Sequence, residues 1–131
     1  MQDASPVAVV RAWQDAASGQ DTDRLIELSA PDVEIVGPRG SGRGHQLLRD
    51  WLGRAGLSLE TLRVFARGDA VVVAQRGVWR SAETGEVTGE ADLASSFLIE
   101  GGRVARFARY DSLDVALAEA GLTHADETSP N

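Results

Sequence analysis

The sequence predicts an α+β domain in which a curved antiparallel sheet packs on three N-terminal helices and leaves a conical pocket inside. Two observations predict this. Helical stripes of apolar residues fill the first 55 positions, interrupted by a single strand-like segment, whereas four alternating segments separated by glycine turns fill residues 57 to 111. That segregation is the mark of α+β architecture, and a sheet bent around helices diverges from them at one end.

Each element has a local cause. Ser5 followed by Pro6 is an N-cap with proline at the first helical position, and Val9, Trp13 and Ala16 form one stripe over VAVVRAWQDAASG. Gly19 closes that helix, Asp21 caps a short second one through DRLIELSA, and Pro31 stops it. DVEIVG at 32 to 37 alternates as a strand. The glycine-rich PRGSGRG then reads as a connection to a third helix over HQLLRDWLGRA, with Leu47, Leu48, Trp51, Leu52 and Ala55 inward. Next come LSLETLRVFARG, DAVVVAQRGVWRS, EVTGEADLASSFLIE and RVARFARYD, a four-strand meander with turns at Gly68-Asp69, at 82 to 85 and at Gly101-Gly102. SLDVALAEAGL is a last amphipathic helix packing Leu113, Ala116, Leu117 and Ala120, and the polar residues 123 to 131 read as a frayed tail. The whole of 1–131 is one domain, with an ordered core over about residues 5 to 122.

Composition excludes several functions. A net charge of -7 and a pI near 4.7 oppose nucleic acid and anionic membranes as partners. No apolar run is long enough to span a bilayer, and the N-terminus lacks the pattern of a signal peptide, so the expected setting is soluble and cytoplasmic. There is no cysteine, all 13 basic residues are arginine, and His45 and His124 stand far apart. Thiolate chemistry, lysine Schiff bases and a metal centre are therefore not expected, and no cofactor is implied.

Three stretches, ASGQDTDRLIELSAPDVEIVGP, GRGHQLLRDWL and FLIEGGRVARFARYDSLDVALAEAGL, resemble the nuclear transport factor 2-like superfamily, specifically its SnoaL-like and ketosteroid-isomerase-like branch. The resemblance spans about residues 5 to 122 and implies a cone-shaped fold, a homodimer formed through the outer sheet face, and a pocket for a small molecule. It does not carry the steroid isomerases' chemistry across. Where their first helix supplies a tyrosine, this chain has Trp13; where their general-base aspartate stands, it has Ile35; where their protonated aspartate stands, it has Ser95. The aspartate of the related epoxide hydrolases aligns with Arg109.

Strand alternation sorts the remaining candidates. Val71, Val73, Gln75, Gly77 and Trp79 share one face, as do Leu93, Ser95, Phe97 and Ile99, and Ala105, Phe107 and Arg109; these sets are expected inward. Arg76, Arg80 and Arg106 fall on the outer face with Glu90 and Asp92. Arg109 is either paired with Asp111, Glu34 or another carboxylate at the pocket mouth or free to bind a carboxylate, enolate or phenolate of a ligand. The expected ligand-facing set is Trp13, Ile35, Trp51, Gln75, Trp79, Ser95, Phe97, Phe107 and Arg109, with the three indoles serving as core or as ligand lining. Tyr110 is a wall residue or a phenolic acid, and His45 a surface group or a rim acid or base. Two functions follow: a pocket protein, enzymatic or not, for a small apolar or anionic metabolite, or a non-catalytic dimerisation or accessory domain.

Overall fold

The computed structural model describes residues 5–19, 21–37, 40–53, 57–81 and 83–128. Helix α1 (Pro6–Ser18) starts at Ser5, whose hydroxyl accepts a hydrogen bond from the Ala8 amide at 3.2 Å. Its stripe of Val9, Val10, Trp13 and Ala16 is buried. Helix α2 (Thr22–Glu27) is capped by the Asp21 carboxylate, which accepts from the Arg24 amide, and sends Leu25 into the core. Strand β1 (Ser29–Gly37) follows directly, with Pro31 inside its irregular first half rather than ahead of it.

The glycine-rich segment behaves differently from the expected connection. Gly40–Arg43 forms strand β2, antiparallel to β1, with Glu34 opposite Arg43 and Ile35 opposite Gly42. A Cβ on Gly42 would stand 2.7 Å from a methyl of Leu47, so glycine lets that side chain pack against the hairpin without shifting. Helix α3 (His45–Gly53) then buries Leu48. The expected inward Ala55 lies outside the described residues, and so do the side chains of Trp51 and Leu52.

Strands β3 (Leu57–Arg67), β4 (Ala70–Arg80), β5 (Val87–Glu100) and β6 (Arg103–Tyr110) form the expected antiparallel meander. The sheet order is β2-β1-β6-β5-β4-β3 with one further short strand beyond β3, and β1 runs parallel to β6, so the sheet is mixed. Register shifts at Thr61/Arg63, Trp79/Arg80 and Leu98/Ile99 curve it. The last shift pairs Ile99 with Val104, so Val104 enters the core where alternation had placed Ala105, while Phe107 and Arg109 keep their inward phase.

Two cores result. The inner face joins Val71, Val73, Phe97, Ile99 and Phe107 to α1, Leu25, Val33 and Leu48. Helix α4 (Leu113–Ala120) covers the other face, where Ala116 and Leu117 meet Phe65, Val72 and Ala94. Residues 123 to 128 are not the expected tail. Gly121 ends α4 at φ 75°, Leu122 is buried in the outer core, and a 3₁₀ turn (His124–Asp126) leads to strand β7 (Glu127–Thr128), paired with β3. Burial of Leu122 together with the Arg63–Glu127 and Arg67–Asp126 ion pairs explains why so polar a segment docks. Residues 129 to 131 lie outside the described set.

Candidate ligand site on the inner sheet face

On the inner face, three of the expected lining residues pack on each other. Trp13 stacks on Phe107 with centroids 5.1 Å apart and meets Phe97 edge-on at 5.4 Å; the two phenylalanines are 5.2 Å apart. Trp13 is 1% exposed, and its indole N–H donates to the Ser29 hydroxyl at 2.9 Å, which in turn donates to the Leu25 carbonyl at 2.7 Å. The indole is thus satisfied by the fold. Ile35, opposite Phe107 on β1, packs half-buried against the same cluster.

A polar row crosses the face beyond these aromatics. Ser95 is fully buried and donates to Gln75 Oε1 at 2.8 Å, while Gln75, 1% exposed, keeps its Nε2 without an acceptor. Thr61 lies opposite Gln75 on β3 and donates to Gln14 Oε1 of α1 at 3.4 Å; Gln14 Nε2 is likewise buried and without an acceptor. On the other side of Ser95, directly opposite on β6, stands Arg109. Its buried Nε has no acceptor, and its guanidinium carbon lies 5.8 Å from the centroid of the half-exposed Trp79 ring.

Arg109 takes neither of the carboxylates first considered for it. Glu34 is engaged instead by Arg106 Nε at 3.1 Å and Arg43 at 3.8 Å, and Asp111 forms no ion pair among the described residues. Arg76 meets Asp92 and Glu90 as expected of the outer face, whereas Arg80 reaches the Gly85 carbonyl. Tyr110 packs with the outer core under α4, so it stands on the opposite side of the sheet from Arg109 and offers it no phenolic acid. His45 Nε2 donates to the Ser29 carbonyl at 3.2 Å, tying α3 to the start of β1. No group of three or more metal-ligating side chains occurs among the described residues.

Gln14 and Thr61 were missed from the sequence. Gln14 is one position beyond Trp13, off the stripe that marks the buried face of α1, and Thr61 adjoins a register shift that spoils strand parity. The signal that finds them is their contact with each other across 47 positions, which periodicity does not contain.

Residues 10–107 match the model of the SnoaL-like domain. The chain belongs to this family. Among solved structures, a candidate polyketide cyclase from Sinorhizobium meliloti is 27% identical, with a TM-score of 0.68 over 78% of this chain and 93% of that one. An NTF2-like protein of unknown function from Cytophaga hutchinsonii is 12% identical, with a TM-score of 0.71 over 88% and 96%. A Catenulispora acidiphila protein with a ketosteroid isomerase-like fold, in complex with trimethylamine, is 23% identical, with a TM-score of 0.68 over 92% and 97%. The curved, open sheet and four helices of this SnoaL-like chain match that cone fold. Among curated proteins, none matches the chain. None of its described helices is long and apolar enough to cross a membrane.

Proposed function

We propose that this SnoaL-like domain binds a small, largely apolar metabolite bearing an acidic oxygen, with Arg109 as its anchor and the inner sheet face as its site. One observation carries the reading: a guanidinium with a buried, acceptor-less Nε, stacked over a half-exposed indole. A buried N–H without an acceptor is costly, and a ligand carboxylate, enolate or phenolate supplies the missing acceptor together with a charge opposite to that of the guanidinium. Trp79 offers its ring to a flat ligand, Gln75 and Ser95 lie beside the anchor, and Trp13, Phe97, Phe107 and Ile35 form the apolar floor.

Ile35 supplies no carboxylate where a steroid isomerase places its base, so the reading is one of binding rather than proton abstraction. Trimethylamine, the ligand of the Catenulispora protein, does not suit an arginine anchor, since one cation would face another.

Thermal-shift titration tests this with 2-naphthoate and its neutral partner 2-naphthamide, on wild type and Arg109→Met. Ligand that binds the folded state raises the midpoint by mass action. The acid should stabilise the wild type selectively, and Arg109→Met should lose that preference. No shift with acids, together with early melting of Arg109→Met, would mean that Arg109 is structural and would favour an accessory domain with a filled interior.

A further inference from the structure

Strand β3 stands one place from the end of the sheet, and the strand beyond it is short. β7 pairs with it only at Val64 and Phe65, so from Leu57 to Arg63 the outer backbone edge of β3 meets no strand among the described residues. An open edge offers unpaired amides and carbonyls to any chain able to add to it. Beside β7 lies Phe65, 0% exposed, with the Arg63 guanidinium 5.0 Å from its ring centroid and the His124 ring perpendicular to it at 5.8 Å. The segment that carries β7 is held largely by side chains that water reaches: Arg63 with Glu127 at 2.8 Å, Arg67 with Asp126 at 3.4 Å and His124 with Asp114 at 3.2 Å. Exposed pairs of this kind each contribute little.

We infer that residues 123–128 are a strap that guards the β3 edge, and that the occupant they keep off is the β3 edge of a second copy of this chain. The register against β4 shows why the edge suits itself. Glu60, Arg63, Phe65 and Arg67 stand opposite Arg76, Ala74, Val72 and Ala70 on the outer face, while Thr61, Val64 and Ala66 point inward and Leu62 is the extra residue of a bulge. Two copies paired antiparallel about Val64 bring Val64 against Val64, Arg63 against Phe65 and, past the bulge, Glu60 against Arg67, with every side chain on its proper face. Glu60 is exposed and forms no ion pair among the described residues, since Arg76 opposite it is taken by Glu90 and Asp92. The second copy's Glu60 would therefore give Arg67 the carboxylate that Asp126 now supplies, and its Phe65 would lie against Arg63 where Glu127 now binds. The strap and the second copy compete for the same backbone and the same two arginines.

Sedimentation velocity over a concentration series tests this with two altered chains. One ends at Leu122; the other is the full chain with Asp126→Arg and Glu127→Arg, which sets like charges against Arg67 and Arg63. Each should at least double its weight-average mass relative to wild type as concentration rises, whatever the state of wild type itself, while circular dichroism shows the fold retained. In the shortened chain Glu60→Arg alone and Arg67→Glu alone should each remove the doubling, because like charges then face each other across the new pair. The two reversals together should restore it, a rescue that a mere loss of packing does not produce. Should both altered chains stay folded and keep the wild-type mass, the strap guards nothing and the inference is overturned. It is overturned equally if the doubling survives both single reversals, which places the contact elsewhere, or if both chains unfold, which makes residues 123–128 part of the core.

Discussion

On the outer face of the sheet Arg76 meets Asp92 and Glu90, Arg106 meets Glu34, and Arg63 grips Glu127 through two hydrogen bonds; on the inner face Arg109, Gln75 and Gln14 hold buried N–H groups that meet nothing. Both faces carry arginine, yet they treat it oppositely. Outside, charges are half-exposed and paired, an arrangement that contributes little to stability and keeps the face soluble. Inside, the same residue type is left unsatisfied beside a half-exposed indole, which folding alone has no reason to retain. The difference separates residues that serve the fold from residues that await a partner.

The largest test of that division sets the buried aromatic cluster of the inner face against the half-exposed Trp79. Trp13→Ala removes a side chain held by two aromatic neighbours and by the Ser29 hydroxyl, and should cost about 3–5 kcal/mol of unfolding free energy. Urea unfolding should show it as a large drop in midpoint. Trp79→Ala, by contrast, should cost well under half as much and should instead weaken binding of a flat acid. Equal destabilisation by the two would dissolve the distinction between an indole that serves the core and one that serves the site.

Next in size is Arg109→Met, which keeps most of the packed volume and deletes the unsatisfied N–H. Stability should change by less than about 1 kcal/mol, because no native hydrogen bond or ion pair is lost. Affinity for 2-naphthoate should fall about 10- to 100-fold, the worth of a hydrogen-bonded charge pair. The mirror experiment on the outer face is Arg106→Met: its ion pair with Glu34 is 39% and 28% exposed, so stability should shift by no more than about 1 kcal/mol and ligand binding not at all. A loss of affinity in Arg106→Met would show that the outer charges also serve the site.

Most of this division was legible in the sequence. Alternation placed Gln75, Ser95, Phe97, Phe107 and Arg109 on one face and Arg76 and Arg106 on the other, since a two-residue period survives wherever the register does. It failed at irregularities: Val104 replaced Ala105 beside the Leu98/Ile99 shift, and Thr61 was hidden by the Thr61/Arg63 shift. Strand β2 was missed because four residues of GSGR carry no hydrophobic pattern, and their pairing depends on the partner strand and on the space Gly42 leaves for Leu47. The partners of Arg109 and Glu34 were not legible either, because a choice among several arginines and carboxylates is made by side-chain position on a curved sheet and not by spacing along the chain. Residues 123–128 looked like tail because their anchors, Arg63 and Arg67, lie some sixty positions earlier.

That C-terminal clasp gives the smallest expected effect and bounds the comparison from the outer side. The hydrogen bond from Arg63 lowers the Glu127 carboxyl below the usual glutamate range; desolvation opposes it, and the nearby Arg63 and His124 charges add smaller lowering effects, while Arg63 is raised by the same hydrogen bond. A carboxyl that is more acidic in the folded state adds stability fully above its unfolded pKa and loses it as pH falls through the folded value. The arginine's share would be lost only above its own raised pKa, far into the alkaline range, so the pair should be level across neutral pH. Glu127→Gln should therefore melt slightly below wild type at pH 7, and the gap should close as the pH drops below about 4 and as salt is raised. If the gap instead persists unchanged in acid and in high salt, then β7 is held by its backbone pairing to Val64 and Phe65 and by Leu122, and the charges on this face contribute nothing that the inner face lacks.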